Sequence, residues 1–228
     1  MRKFALVTLF SLPLFAGFFP STLHTTVSKV DQQGLKLKKA FPVNGMSGVV
    51  IHRYGKSAQA ITSYLVQTNS NGSAKTVSHH VIDHEQLPTI KTPATRGDKV
   101  IGGYMYQNVL VLAPDAETYT KITKQYRKNW IHPDLYALFL STEGESTPNR
   151  KNLSEFAKAY QVGLVLIVRK DTAVLLDPVS QKIISQKKLG NLPKKGKFPF
   201  FSRLDKIESG WFGLEESKKD YYKTMEQL

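Results

Sequence analysis

Short apolar or alternating segments recur between residues 46 and 113, and each of them ends at a turn signal. Glycines bound the segment 46–55, and the segment 60–69 alternates apolar and polar residues as a half-buried strand does. The Asn/Ser/Gly-rich stretch 69–73 predicts a hairpin turn. Strands repeated at intervals of about ten residues, with such turns between them, indicate a small antiparallel barrel or sandwich.

Pro114 marks a change from strand patterns to helix patterns. Asp115 is a suitable N-cap, because its carboxylate can accept hydrogen bonds from the first free N–H groups of a helix. Residues 115–130 therefore predict a helix with one apolar stripe. That stripe contains Tyr119, Ile122 and Tyr126.

Two more helices and three strands are predicted beyond this point. A helix is expected after Pro133 and another over residues 147–161. Residues 162–170 form a nearly continuous apolar run, which is typical of a strand buried on both faces. Residues 171–178 and 182–190 predict two further strands. This order of elements indicates an α+β fold, with a small antiparallel β-barrel or sandwich module followed by a module of three helices and three strands.

Changes in composition divide the chain into six segments. We expect a signal peptide (1–16), a lead-in segment (17–45), a β-rich domain (46–113), an α/β domain (114–190), an aromatic and basic closing segment (191–213) and a charged C-terminal helix (214–228).

The N-terminus has the pattern of a secretory signal peptide. Arg2 and Lys3 precede the uncharged stretch 4–19, which is shorter than the roughly 18 to 20 apolar residues that a spanning helix needs. Ala16 offers a small-residue cleavage site before Gly17. We expect export to a bacterial periplasm or surface; an uncleaved membrane anchor is the alternative.

Composition argues for a binding protein and against an enzyme. The chain has 32 Lys and Arg against 18 Asp and Glu, a formal charge of +14, and no cysteine. It lacks a Cys nucleophile, a G-x-S-x-G elbow and a Gly-rich phosphate loop before a helix. We expect no catalysis, no cofactor and no ATP. Nucleic acid is not expected because the lysines are scattered, and an anionic lipid or polysaccharide is the generic partner that this charge favours.

Histidine and acidic residues cluster in one short segment, which consists of His79, His80, Asp83, His84 and Glu85. On a helix, His80 and His84 would share a face and could ligate one zinc ion. The segment is predicted as strand or loop, so this spacing is lost and no metal site is expected. A cleft that joined these histidines to His52 around a metal would favour an enzyme instead.

The closing segment carries aromatic residues in an irregular stretch that contains prolines and glycines. Such side chains must bury either against the strands or against a partner. A partner contact is therefore predicted at Phe200, Phe201, Arg203 and Trp211. This contact is the basis of an alternative function, that of a structural component of a periplasmic envelope machine.

Three sequence blocks occur in order at residues 92–122, 160–168 and 198–210. The specific parts are a Gly-Asp, strand, Ala-Pro-Asp arrangement in the first block and the sequence PFFSR in the third. Together the blocks resemble the N-terminal domain of the bacterial plasminogen-binding protein A family. The resemblance covers residues 46–213.

The resemblance implies a protein of the periplasm or of the outer-membrane or cell surface of a Gram-negative bacterium that captures host plasminogen. The alternative function, a structural component of a periplasmic envelope machine, would have no plasminogen role. A kringle domain of plasminogen presents carboxylates to an ammonium group, and cations to a carboxylate about one lysine length away. A C-terminal lysine meets both demands, but this sequence ends in Leu228 and lacks the Lys/Glu-rich C-terminal extension associated with the family. Internal lysines beside Asp220 and Glu226 are the expected substitutes. They are Lys218, Lys219 and Lys223.

Overall fold

The computed structural model of the chain describes residues 17–32, 34–77, 92–204 and 220–228. The predicted signal peptide lies outside these residues. Within them the chain forms eleven strands and four helices. None of these helices has the length and the apolar character needed to cross a lipid bilayer.

Six strands form a closed antiparallel barrel in the order β1-β2-β5-β4-β3-β6. They are β1 (Leu23–Asp31), β2 (Gly34–Leu37), β3 (Ser47–Tyr54), β4 (Ala58–Gln67), β5 (Ser73–Val77) and β6 (Lys99–Gly102). The prediction of a small antiparallel barrel or sandwich is confirmed, and the structure shows that it is a barrel. The barrel closes because β1 pairs with β2 along one edge and with β6 along the other. Strand β1 comes from the expected lead-in segment, which therefore contributes to the barrel.

Two glycines in the barrel make room for an aromatic ring. Gly48 lies in β3 and pairs with Gly102 in β6. The ring of Phe41 packs against both. A Cβ atom at Gly102 would overlap that ring, and one at Gly48 would overlap the Ile101 carbonyl oxygen and crowd the ring. Phe41 is 3% exposed, so the missing side chains allow it to close the core at this point.

The other five strands form a mixed sheet in the order β11-β10-β9-β7-β8. They are β7 (Asn108–Leu112), β8 (Asn129–Ile131), β9 (Leu164–Val168), β10 (Thr172–Asp177) and β11 (Lys182–Lys188). Strand β7 is parallel to both β8 and β9, whereas β10 is antiparallel to both of its neighbours. The domain boundary expected after residue 113 would assign β7 to the β-rich domain. In the structure, β7 pairs within the second sheet instead.

The four helices are α1 (Ala116–Gln125), α2 (Pro133–Thr142), α3 (Arg150–Tyr160) and α4 (Tyr221–Glu226). The Asp115 side chain caps α1 by accepting from the Thr118 N–H, as its position before the helix predicted. Asn149 caps α3 in a reciprocal arrangement with Asn152. The predicted α+β class is confirmed.

The predicted first helix is too long. Helix α1 ends at Gln125, and Asn129–Ile131 form the short strand β8 beside β7. The Asn129 N–H donates to the Gln107 carbonyl, and the Trp130 indole N–H donates to the Thr123 carbonyl in the last helical turn. Pairing with β8 satisfies backbone N–H and C=O groups at the open edge of β7. A helix that continued through residues 129–131 would leave those groups without β8 as a partner.

The second sheet lies between two apolar layers. In β9, Leu164, Leu166 and Val168 pack with the barrel interior, and Val165 and Ile167 pack on the opposite face with α2, α3 and α4. All five residues of β9 are buried, which confirms the prediction of a strand covered on both faces. The barrel and one face of the sheet therefore share a single hydrophobic core.

One buried carboxylate connects these two parts of the fold. The Asp177 Oδ2 atom accepts a hydrogen bond from the Ser47 N–H at 2.8 Å and another from the Tyr106 hydroxyl at 2.6 Å. Its Oδ1 atom accepts from the N–H groups of Val179 and Ser180 at 2.9 and 3.0 Å. Burial raises the pKa of Asp177, while these hydrogen bonds act in the opposite direction.

We expect Asp177→Asn to lower the free energy of unfolding by about 2–4 kcal/mol, because an amide nitrogen would face donors that a carboxylate accepts. Tyr106→Phe removes one donor and should cost about 1 kcal/mol. Urea denaturation followed by circular dichroism measures both changes. The exposed Asp171→Asn is the matched control and should change stability by less than about 0.5 kcal/mol. Equal losses at Asp171 and Asp177 would contradict this role for the buried carboxylate.

Candidate functional site

Helix α4 carries the one predicted plasminogen-binding lysine that lies within the described residues. The side chains of Tyr221, Met225 and Leu228 are buried, and they recur at the spacing of one helical face. Lys223 lies between them in sequence and is exposed. The helix therefore presents this lysine outward while its apolar face packs on the protein.

The Tyr221 side chain anchors α4 to the second sheet. Its hydroxyl lies 2.9 Å from the Leu112 carbonyl and 2.7 Å from the Val168 carbonyl, at the ends of the adjacent strands β7 and β9. Burial raises the pKa of Tyr221 well above its usual value, so the hydroxyl keeps its proton and remains a donor.

A second anchor holds the other end of α4. The Arg169 Nε–H donates to the Met225 carbonyl at 3.2 Å, and this guanidinium lies 3.8 Å from the Glu226 carboxylate. The Lys170 N–H also donates to Glu226 at 3.4 Å. A cation at a helix C-terminus interacts favourably with the free carbonyl groups there. The short helix is therefore fixed at both ends.

Lys223 is flanked by carboxylates three residues away on each side. The Asp220 side chain accepts from the Lys223 backbone N–H at 2.9 Å as the N-cap of α4, and Glu226 follows one turn later. Residues three apart are neighbours on a helix surface. The Lys223 ammonium forms no ion pair with any residue that the structure describes. We call Asp220, Lys223 and Glu226 the α4 lysine site.

The other predicted lysines, Lys218 and Lys219, lie outside the described residues, as does Trp211 of the predicted partner contact. The structure therefore places Lys223 alone from the predicted set of three. Sequence reasoning placed Asp220 inside the charged C-terminal helix expected at 214–228, whereas in the structure Asp220 is the N-cap of α4.

The predicted partner contact at Phe200 needs correction. Phe200 is 0% exposed, and its ring stacks on Tyr136 of α2 with centroids 5.4 Å apart. The neighbouring Phe201 is half-buried and lies 5.5 Å from the Tyr119 ring. An aromatic side chain in an irregular stretch can be buried within its own chain, and here α2 supplies the surface that covers Phe200.

Arg203 pairs with Asp134 at the N-terminus of α2. Its backbone N–H donates to Oδ1 at 2.8 Å and its Nε–H donates to Oδ2 at 2.6 Å. Burial alone would raise the pKa of Asp134, but the bonds from Arg203 and the nearby His132 hold it below its usual value. Arg203 therefore fastens the closing segment to α2, although its side chain stays 71% exposed.

The predicted histidine cluster lies outside the described residues, whereas His52, which a metal cleft would have had to join to it, lies within them. The His52 Nδ1 atom is 2.8 Å from the Asp98 carboxylate, which also accepts from the Thr95 N–H at 2.7 Å. In the part of the chain that the structure describes, no group of three His, Cys, Asp or Glu residues is placed to hold a metal ion. The contacts of Asp98 with His52 in β3 and with the Thr95 N–H attach the loop before β6 to the barrel.

Sequence reasoning also missed a groove on the barrel that is lined by Lys38, Lys39 and Lys99. Lys38 and Lys39 were assigned to the lead-in segment, and Lys99 was assigned to the β-rich domain, which is distant from them in sequence. The available signal was the density of lysines between residues 29 and 39.

Comparison with known proteins places the chain in a family. The sequence model described as "Plasminogen-binding protein pgbA N-terminal" matches residues 22–228, which include the barrel, the second sheet and α4. The chain belongs to this family. The match begins just before β1, so the family's N-terminal region comprises both sheets.

Two curated relatives within this family are named "Plasminogen-binding protein PgbA", from Helicobacter pylori strains J99 and 26695. Each is 29% identical over 147 residues, which is 64% of this chain and 32% of the relative. The chain therefore spans about a third of the length of the curated relatives that it matches. No solved structure matches the chain.

Removal of the Tyr221 hydroxyl tests the anchoring of α4. We expect Tyr221→Phe to lower the free energy of unfolding by about 1–2 kcal/mol, because two buried carbonyl groups lose their shared donor. Tyr160→Phe is the control, since that tyrosine is 42% exposed and its loss of a hydroxyl should be nearly neutral. Thermal and urea denaturation measure both variants. A neutral Tyr221→Phe would show that the hydroxyl does not stabilise the docked helix.

Proposed function

We propose that this protein is exported to the envelope or surface of a Gram-negative bacterium and captures host plasminogen through exposed lysines near its C-terminus. Membership of the plasminogen-binding protein A N-terminal family is the observation that carries the proposal. The proposed contact residues are Lys218, Lys219 and Lys223.

The α4 lysine site supports the proposal through its charge arrangement. A kringle lysine site holds an ammonium with carboxylates and holds a nearby carboxylate with cations. Lys223 supplies an exposed ammonium, and Glu226 supplies a carboxylate whose side chain is 51% exposed. An internal lysine beside such an acid can present the same pair of charges as a free C-terminal lysine.

The anchoring of α4 also favours binding. Tyr221 and Arg169 fix the helix at its two ends, so the backbone that carries Lys223 is ordered before any partner arrives. A ligand held in its bound conformation loses less conformational entropy on association. A kringle would therefore have to order the lysine side chain alone.

Export is supported by the sequence of the N-terminus. Arg2 and Lys3 followed by the uncharged stretch 4–19 form the pattern of a secretory signal peptide. The absence of cysteine suits an oxidising compartment, where an unpaired thiol would react.

Replacement of the three proposed lysines tests the contact residues. We expect the triple variant Lys218→Ala, Lys219→Ala, Lys223→Ala to bind immobilised plasminogen at least about tenfold more weakly, a loss of about 1.4 kcal/mol. A free lysine analogue should displace the unmodified protein, because it occupies the same kringle sites. Surface plasmon resonance measures both effects.

The matched control removes three exposed lysines from other surfaces, Lys56, Lys124 and Lys151. It loses the same net charge and should bind plasminogen within about twofold of the unmodified protein. Equal weakening in both triple variants would replace a specific contact with general cationic attraction. Unchanged binding in the first variant would reject the assignment to these lysines.

Processing and location can be tested in the cells that produce the protein. We expect the mature chain to begin at Gly17. If the protein faces outward, protease added to intact cells should degrade it. N-terminal sequencing and immunoblotting measure these outcomes, with a cytoplasmic protein as the control for lysis. Retention of residues 1–16 on a protein inside the cell would overturn the export proposal. Protection from protease until the outer membrane is opened would place the mature protein in the periplasm.

A further inference from the structure

The outer face of the barrel contains a groove of about 710 Å³ where β1, β3 and β6 run side by side. We call it the barrel groove. Its size is within the range of small-molecule sites. The residues that matter for its chemistry are Thr26, Lys38, Lys39, Ile51, Gln59 and Lys99.

Hydrogen bonds to β1 position the three lysines. The Lys38 N–H donates to the Thr26 carbonyl, and the Lys39 N–H donates to the Thr25 Oγ1 atom, both at 2.9 Å. Lys99 is paired with Thr26 across the β1–β6 ladder and with Ile51 across the β3–β6 ladder. The backbone of each lysine is therefore part of the barrel or is tied to it.

Within the part of the chain that the structure describes, no acidic side chain neutralises the positive charge of the barrel groove. None of the three ammonium groups forms an ion pair or a hydrogen bond with a residue that the structure describes. Among residues 17–32, 34–77, 92–204 and 220–228, no aspartate or glutamate lines the groove. Asp98 precedes Lys99 in the chain, but its carboxylate is buried and bound to His52 and to the Thr95 N–H. Like charges held together without counter-ions favour an anionic ligand.

The remaining walls combine polar and apolar contacts. Thr26 and Gln59 offer hydrogen-bonding groups, while Ile51 and Ile101 contribute half-buried apolar surface. A sugar ring has hydroxyl groups around its edge and C–H groups on its faces, so both kinds of wall can contact it. The barrel is closed by the β1–β6 pairing, so an extended peptide has no free strand edge to join here.

We propose that the barrel groove binds a saccharide that carries sulfate or phosphate esters. Lys38, Lys39 and Lys99 pair with the ester groups, and Thr26 and Gln59 bind the ring hydroxyls. The barrel groove shares no residue with the α4 lysine site, so either proposal can fail without affecting the other.

The test titrates a heparin-derived hexasaccharide into the protein and measures binding by isothermal calorimetry. We expect Lys38→Gln, Lys39→Gln, Lys99→Gln to weaken binding at least about tenfold. The control Lys56→Gln, Lys124→Gln, Lys151→Gln removes the same charge elsewhere and should stay within about twofold of the unmodified protein. Circular dichroism melting curves check that both variants fold. Equal weakening in the two variants, or no binding by the unmodified protein, would overturn the proposal.

Three other probes distinguish the class of ligand. The desulfated hexasaccharide should bind at least about tenfold more weakly, because it lacks the charges that the lysines recognise. Hexaglutamate and phosphatidylglycerol vesicles should bind more weakly than the sulfated sugar; stronger groove-dependent binding of either would reject a saccharide ligand. A phosphorylated oligosaccharide that binds while inorganic phosphate does not would support recognition of an ester on a sugar. Plasminogen capture should be unchanged in the groove variant.

Discussion

The hydrogen bonds to Asp177 are the interaction on which the arrangement of the two sheets depends. A carboxylate removed from water is strongly destabilising unless donors replace the lost hydration. Here the donors come from β3 of the barrel, from Tyr106 and from the turn after β10. These three parts of the chain must keep their positions together, because movement of any one would leave a buried polar group without a partner.

The second sheet explains why the protein needs both a barrel and a helical layer. Strands β7, β9 and β10 are apolar on both faces, so each face must be covered. Helices α2 and α3 cover one face together with α4, and the barrel covers the other. Among the described elements, the outer face of the barrel and the outward sides of the helices are therefore surfaces that can meet a ligand.

Both proposed sites use lysine, but they favour ligands that differ in charge. In the α4 lysine site, a single ammonium lies between two acidic residues, so a partner with both charges can recognise it. In the barrel groove, three lysines line one surface that has no acidic residue among the described part of the chain, so an anion is favoured. The neighbouring carboxylates, and not the lysines themselves, decide what each surface can bind.

The sequence by itself determined the α+β class, the turn-bounded strands, the cap of α1 and the doubly buried strand β9, because these follow from local periodicity and capping chemistry. It did not predict β8, the burial of Phe200 or the barrel groove. Each of these depends on which distant segment lies alongside: β7 for β8, Tyr136 for Phe200, and β1 for the three groove lysines. Only the tertiary structure brings such segments together, because a local stretch of sequence does not specify which distant segment it will contact.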